Sequence, residues 1–293
     1  MSAEPLHLHP TAPLAERVLL PGDPGRALRL AQALLREPKM FNHHRGLWGY
    51  TGTAADDEPL TIQSTGMGGP SAAIVVTELA ALGARRLIRV GTCGALDPTL
   101  ELGALLLARE ALAADGTSQA LGAPPRVTPD PDLADSISAA ANDLHHGLIV
   151  TTDLFYDANE REQAWAAQGA RAIEMETATL FTIATSKHLH AASLLIITDH
   201  LVPTRSRITT SALTAAELRA GEIATTALLT GDQAWAQAAT RKKRRNQPRA
   251  EPARLRSPPT ELRPPRSSPP APPDDRAHPR SLPDAATRHG GGE

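Results

Sequence analysis

Three glycine-rich loops each follow an apolar run and each carry groups that suit a small oxyanion. They are Pro21-Gly22-Asp23-Pro24-Gly25-Arg26, Gly66-Met67-Gly68-Gly69-Pro70-Ser71 and Arg89-Val90-Gly91-Thr92-Cys93-Gly94. Glycine lets the backbone approach a ligand closely, and free amides at a helix start bind anions. An arginine inside an apolar strand, such as Arg89, is costly unless it meets an anion or a buried carboxylate. Each loop also fits a plain turn, but the three together predict an anion site.

Carboxylates occupy two further positions where strands are expected to end. The segment Ile173-Glu174-Met175-Glu176-Thr177 precedes a helix-like run, so its glutamates could bind a vicinal diol or match the positive helix end. Asp199 follows the apolar run Leu194–Ile197 and Thr198. An aspartate there is placed as an acid or base, or as a cap for the next segment.

The elements that must position these residues alternate between strand-like and helix-like runs. Strands are predicted over Arg17–Leu20, Leu47–Thr53, Leu60–Thr65, Arg86–Val90, Gly103–Ala108, Leu148–Thr152 and Ala192–Thr198. Helices are predicted over Gly25–Leu35, Ser71–Leu82, Thr177–Lys187 and Ala215–Leu229. Such alternation predicts a single α/β domain over residues 1–240, with a central mixed sheet flanked by helices on both faces.

Composition bounds the class of protein. With 41% hydrophobic residues, the 293-residue chain can bury the core of one large domain. The lone Cys93 forms no intramolecular disulfide, and the sequence shows neither a signal peptide nor a long apolar span. These features predict a cytoplasmic protein with no membrane partner. No His, Cys and carboxylate cluster has metal-ligand spacing, so no metal is expected.

The C-terminal residues 241–293 differ from the rest of the chain. They contain 12 of the 26 prolines and 13 Arg/Lys against 6 Asp/Glu. Such a composition cannot bury enough apolar surface to fold, so a disordered tail is predicted, either a solvated appendage or a polyanion-binding arm. The remaining residues are acidic, with 17 Arg/Lys against 26 Asp/Glu, which argues against nucleic acid as a partner of the folded domain.

The motifs, taken as a set, resemble those of one enzyme family. The segments PGDPGRA, RGLWGYTG, GMGGPSAAIV, RVGTCGAL, DLFYD, EMETA and TDH occur in the order and spacing typical of bacterial hexameric purine nucleoside phosphorylases of the nucleoside phosphorylase-I family. The resemblance spans about Leu6 to Asp232. It implies a distorted, barrel-like mixed sheet and phosphorolysis of purine ribo- and deoxyribonucleosides, with inorganic phosphate as co-substrate and no cofactor.

The resemblance also implies roles for individual residues. Phosphate would be bound by Gly22, Arg26, Arg89 and Thr92, together with Arg45 from a neighbouring subunit of a homohexamer. The ribose would be bound by Met67, Met175, Glu176 and a histidine of the neighbour, His7 in preference to His9. The base would contact Phe155, Ile173, Glu174 and Thr198.

Asp199 would be the general acid that protonates purine N7. The family places an arginine beyond this aspartate, but a gapless alignment puts Ala212 or Leu213 there. Arg205 and Arg207 are therefore the candidates to replace it, and the sequence does not choose between them.

Other functions compete with this interpretation. Uridine phosphorylases share the phosphate loops, but their pyrimidine recognition uses a Gln-x-Arg element that residues 157–163 lack. A binding protein without catalysis would have lost the acid or the phosphate arginines, and all of these are present. A nucleic-acid-binding protein would rest on the basic tail alone.

Overall fold

A computed structural model describes residues 5–156, 161–201 and 205–245, with side chains described up to residue 229. The strands in these ranges are β1 (Arg17–Pro21), β2 (Arg36–Asn42), β3 (Gly49–Thr53), β4 (Pro59–Gln63), β5 (Arg86–Ala95), β6 (Leu105–Ala113), β7 (Arg126–Val127), β8 (His145–Thr151), β9 (Ala170–Glu174), β10 (His190–His200) and β11 (Ser206–Arg207). The helices are α1 (Pro24–Leu34), α2 (Gly69–Leu82), α3 (Gly116–Ala120), α4 (Pro131–Ala140), α5 (Arg161–Ala167), α6 (Thr177–Lys187) and α7 (Thr210–Arg245), with a 3-10 turn at His44–Gly46.

Five strands close into a small barrel. Strand β5 pairs with β10, β10 with β6, β6 with β8, β8 with β9, and β9 returns to β5. The pairs β5–β10, β6–β8 and β8–β9 are parallel, and the other two are antiparallel. From β5 the sheet continues through β1, β4, β3 and β2, so a closed barrel and an open sheet share one strand. The predicted mixed, barrel-like sheet is confirmed.

Residues of the central strands alternate between two helical layers. On β10, Leu195 and Ile197 pack in the core that includes residues of α2 and α6. Leu194 and Ile196 face the other core, which includes residues of α1, α4 and α7. A strand buried on both faces needs apolar residues at consecutive positions, which explains the unbroken apolar run of β10. Each helix layer therefore fixes one side of the sheet.

Parallel pairing brings several strand ends to one edge of the sheet. Strands β4, β1, β5 and β10 run parallel in this order, so their carboxyl ends lie side by side. The three glycine-rich loops and the Asp199 segment all lie at or near these ends. Loops at such an edge are the usual ligand-binding region of α/β sheets, and the sequence motifs therefore converge.

The predicted elements are present with shifted boundaries: β5, β6, β8 and β10 are longer than predicted, whereas β3 and β4 are shorter. Strand β5 continues to Ala95 and β10 to His200, because glycine, cysteine and polar residues at these ends still pair with neighbouring strands. The elements that were not predicted are short or carry few contiguous apolar residues, and they are β2, β7, β9, β11, α3, α4 and α5. Helix α7 extends beyond the predicted boundary at 240, and the rest of the predicted tail, 246–293, lies outside the described residues.

Candidate active site

A cavity of about 410 Å³ opens where the loops converge. This volume is within the range of small-molecule sites. Twelve of the fourteen predicted site residues line it, and these are Gly22, Arg26, Met67, Arg89, Thr92, Phe155, Ile173, Glu174, Met175, Glu176, Thr198 and Asp199. The sequence motifs thus form one site. The two that do not line it, His7 and Arg45, are the residues expected from a neighbouring subunit.

One side of the cavity, the arginine wall (Gly22, Arg26, Arg89 and Thr92), is centred on Arg89. The guanidinium is buried, its Nε donates to Glu174 at 3.1 Å and its Nη2 lies 2.5 Å from Glu176. Burial alone would lower the pKa of Arg89, but the charges of Glu176 and Glu174 raise it. Its Nη1 is buried with no hydrogen-bond partner among the described residues. This unpaired donor is suited to a bound anion.

The fit of Arg89 against its own strand depends on glycine. A Cβ at Gly91 would stand 2.7 Å from Cζ of Arg89 and 2.8 Å from Leu195 Cδ2. Neither neighbour has room to move, since both are buried. The glycine after Val90 is therefore needed so that the arginine can lie flat over the backbone.

Arg26, the second cation of the wall, is held by its own loop and by α7. Asp23 caps α1, with its carboxylate accepting from the amides of Gly25 and Arg26. The Arg26 guanidinium donates from Nε to Glu217 at 2.8 Å and from Nη1 to the Val90 carbonyl at 3.2 Å. Asp23 thus occupies two amides of the turn that is predicted to bind an anion, and phosphate binding by Gly22 and Arg26 stays a prediction.

The floor of the cavity consists of Met67, Met175 and Glu176. The Glu176 carboxylate accepts from the amide of Gly68, a residue whose φ of 84° and ψ of 158° favour glycine. Burial, reinforced by Glu174 and opposed by Arg89, raises the pKa of Glu176. Met67 is 85% exposed, so its thioether is free to pack on a ligand.

Glu174 departs from the predicted role at the base. Its carboxylate accepts from Arg89, from Thr151 Oγ1 at 2.5 Å, and from the amides of Glu176 and Thr177. Both oxygens are engaged and the side chain is buried. The geometry assigns Glu174 to holding Arg89 and the turn into α6, and its contact with a base stays a prediction.

The opposite side of the cavity, the aromatic wall, is formed by Phe155, Ile173, Thr198 and Asp199. The pairing of β10 with β5 slips between Ile197 and Asp199, which places a β-bulge at Thr198. Bulges redirect side chains near functional sites. Thr198 Oγ1 lies 2.9 Å from Asp199 Oδ2. The other oxygen, Oδ1, is buried with no hydrogen-bond partner among the described residues. A polar ligand atom could satisfy it.

Two arginines approach Asp199 from the following segment. Arg207 on β11 is the cross-strand partner of Asp199, and its Nε lies 3.7 Å from Oδ1. The Nε of Arg205 lies 4.0 Å from the same oxygen, and its guanidinium lies 5.4 Å from the Phe155 ring centroid. The structure thus brings both candidate arginines to the acid. Phe155 itself is 54% exposed, so this wall is open.

His7 and Arg45 lie away from the cavity of their own chain. His7 is held by Glu78, which accepts from His7 Nδ1 at 2.7 Å and from the amides of residues 6–8. Arg45 is exposed and has a positive φ of 57° in the 3-10 turn. His9 instead stacks on His44, with ring centroids 3.9 Å apart.

Some residues of the site were not predicted from the sequence, and one of them supports the cavity from behind. Glu217 was overlooked although it is a carboxylate within the apolar stripe of α7, which is a detectable anomaly. Cys93 and Leu201 also line the cavity. Burial raises the pKa of the Cys93 thiol, so it remains protonated and packs as an apolar group.

Fold and cavity together define an α/β protein in which a cluster of arginines and a carboxylic acid line the same cavity. Residues 16–230 match the model of the phosphorylase superfamily, so the chain belongs to this superfamily.

Curated relatives carry a more specific name. The DeoD-type purine nucleoside phosphorylase of Geobacillus kaustophilus is 37% identical over 199 residues, which covers 66% of this chain and 84% of the relative. The protein of the same name from Exiguobacterium sibiricum is 38% identical over 197 residues, covering 64% and 83%.

Solved structures show the same fold. Uridine phosphorylase from Vibrio fischeri ES114 is similar with a TM-score of 0.67 and 26% identity, covering 74% of this chain and 93% of that one. Its complex with 6-hydroxy-1-naphthoic acid has a TM-score of 0.68 and 27% identity, covering 74% and 92%. Within the described residues, none of the helices combines the length and apolarity that a membrane crossing requires.

Proposed function

We propose that this protein is a pentosyltransferase that cleaves purine ribo- and deoxyribonucleosides with phosphate, giving free base and (deoxy)ribose 1-phosphate. The observation that carries the proposal is one cavity in which, among the described residues, a guanidinium nitrogen of Arg89 and a carboxylate oxygen of Asp199 lack a hydrogen-bond partner. The guanidinium can bind an anionic nucleophile, and the carboxylic acid can protonate the leaving base. The name shared by the curated relatives supports a purine substrate, and a cytoplasmic role in purine salvage follows from the proposal.

In the proposed reaction, phosphate is the co-substrate and no metal or cofactor takes part. A phosphate oxygen forms the bond to C1′ as the C1′–N9 bond breaks, and the electron pair of that bond passes into the purine. Arg26, Arg89 and Thr92 hold the phosphate beneath the cationic ribosyl centre. Glu176 and the methionines of the floor hold the sugar.

Asp199 donates a proton to N7 as the base leaves. General acid catalysis of this kind contributes about 10²–10⁴-fold. Phe155 offers a ring face for the base, and Ile173 and Thr198 complete its surroundings. The nearby charges of Arg207 and Arg205 then stabilise the carboxylate that is left after proton transfer.

The proposal includes a homo-oligomer, with a hexamer built from dimers as the expected form. Arg45 and His7 lie outside the cavity of their own chain, so a second subunit must supply them to phosphate and ribose. In a dimer with twofold symmetry, the same contact occurs twice, so one interface completes two sites. Light scattering combined with activity measurements tests this, and a fully active monomer would contradict it.

One assay tests the proposed function against its alternatives. Inosine, adenosine and uridine are each incubated with the protein, with and without phosphate, and released base is measured by chromatography. Phosphate-dependent release of hypoxanthine and adenine, with little uracil, is the expected result. Release of uracil alone would make the protein a uridine phosphorylase, and equal release without phosphate would indicate a hydrolase. Absence of any release would leave a binding protein.

A further inference from the structure

A buried carboxylate of the last helix lies directly behind the arginine wall. Glu217 is only 1% exposed and belongs to the stripe of α7 that also buries Ala216, Ala220 and Ala224. Helix α7 packs closely on α1, since a Cβ at Gly221 would stand 2.5 Å from Leu30 Cδ2. A charged residue in such a stripe requires a specific partner.

Glu217 has two arginine partners, both from α1. Its Oε1 accepts from Arg26 Nε at 2.8 Å, and its Oε2 accepts from Arg29 Nε at 2.9 Å and Nη2 at 2.7 Å. The Arg26 side chain is 7% exposed, whereas that of Arg29 is 40% exposed. The inner partner is therefore the arginine that lines the cavity, and the outer partner lies at the surface.

The contact with Glu217 determines which part of Arg26 remains available. Nε is bound to Glu217 and Nη1 to the Val90 carbonyl, and no hydrogen bond engages Nη2 among the described residues. Arg29, the outer partner, also pairs with Asp23 Oδ2 at 3.4 Å, so Arg26 and Arg29 are matched by two carboxylates. The contact with Glu217 thus orients the Arg26 guanidinium and leaves its Nη2 available to a ligand.

We propose that Glu217 is the positioning residue for Arg26, and that it sets the affinity of the site for phosphate without touching substrate. This inference rests on the proposed function. An arginine side chain has many rotamers, and fixing one before phosphate binds reduces the entropy lost on binding. A buried ion pair adds little net stability compared with apolar packing. Here the ion pair with Glu217 holds the Arg26 side chain in one conformation.

The test compares Glu217→Gln with a matched control on the same helix. Glu222 of α7 is exposed, so Glu222→Gln makes the same change of charge away from the arginines. Loss of a hydrogen bond between charged groups corresponds to about a 10–100-fold change. We expect Glu217→Gln to raise the KM for phosphate by this factor and to leave the KM for inosine near the wild-type value. Glu222→Gln should change neither.

A double-mutant cycle separates positioning from a general loss of structure. If Glu217 acts through Arg26, then Glu217→Gln adds no further increase in the KM for phosphate once Arg26→Gln is present. Circular dichroism and melting curves identify the folded fraction, on which phosphate binding is measured directly by calorimetry.

The outcomes are distinct for the two proposals. Additive effects of the two changes, equal increases in both KM values, or an unchanged KM for phosphate would overturn the role of Glu217. A wild-type protein that binds phosphate but releases no base would instead overturn the proposed function. In that case, phosphate binding measured by calorimetry would still test whether Glu217 positions Arg26.

Discussion

The two walls of the cavity differ in how their polar groups are held. In the arginine wall, Arg26 and Arg89 are buried, and each is bound to at least one buried glutamate. In the aromatic wall, Phe155 is about half exposed and the arginines near Asp199 stay beyond hydrogen-bond distance. One wall is therefore preorganised, whereas the other has freedom to adjust.

This difference suggests that the arginine wall determines the affinity for phosphate and the aromatic wall determines the selectivity among bases. Phosphate is small, invariant and strongly hydrated, so a rigid set of charged donors is needed to compensate for its lost water. Purine bases differ in their exocyclic groups, and an open wall with one acid tolerates several of them. Substitutions in the arginine wall should therefore reduce all activity, whereas substitutions in the aromatic wall should distinguish substrates.

The largest effect is expected for Arg89→Ala. It leaves Glu174 and Glu176 buried without their cation, and removing one partner of a buried pair costs about 3–5 kcal/mol. We expect kcat/KM for phosphate to fall by about 10²–10³-fold with every nucleoside, and the melting temperature to fall. Arg126→Ala, which removes a surface arginine paired with Glu110, serves as the control and should have no effect. A variant with normal phosphate kinetics would refute the preorganised wall.

A selective effect is expected for Asp199→Asn. Negative charge on a departing 6-oxopurine can spread onto O6, whereas a 6-aminopurine depends on protonation at N7. Asparagine can donate a hydrogen bond but not a proton, so kcat for adenosine should fall by about 10²–10⁴-fold. The loss for inosine should be much smaller. Steady-state kinetics on both substrates measures this, and equal losses would mean that Asp199 is not the general acid.

A smaller effect is expected for Phe155→Ala. Aromatic stacking contributes about 0.5–1.5 kcal/mol, so the KM for nucleosides should rise by about 2–10-fold while the KM for phosphate stays constant. Leu154 of the same segment is 51% exposed and does not line the cavity, so Leu154→Ala is the matched control. If both variants behave alike, the base does not stack on Phe155.

The smallest effect concerns Cys93, which lines the cavity beneath Thr92. Burial raises the pKa of its thiol, so at pH 8 the group should stay protonated and unreactive. Ellman's reagent should detect no thiol in the native protein and one per chain after denaturation. Cys93 contacts β10 through Ile196 and Thr198, so rapid labelling of the native protein would show that β5 and β10 separate at this end of the cavity, and preorganisation next to Thr92 would be refuted.

Much of the site could be predicted from sequence because its motifs are local. The loop around Gly22 and the turn Glu174-Met175-Glu176 each join a strand end to a helix, and the Thr198-Asp199 pair lies near the carboxyl end of β10. At such places composition alone signals a ligand. Their convergence follows from parallel pairing of the strands. The family motifs then indicated which chemistry these residues perform.

Tertiary structure decided which groups are already engaged. The sequence predicted an anion-binding turn at residues 21–26 and a base contact for Glu174. The fold shows the Gly25 and Arg26 amides bound to Asp23 and the Glu174 carboxylate bound to Arg89. Glu217 is 191 residues from Arg26, and only the packing of α7 on α1 brings them together. The local sequence thus determined where in the chain the reactive groups lie. Long-range packing determined the hydrogen-bond partner of each buried charge, because such pairing depends on distances that no local sequence pattern encodes.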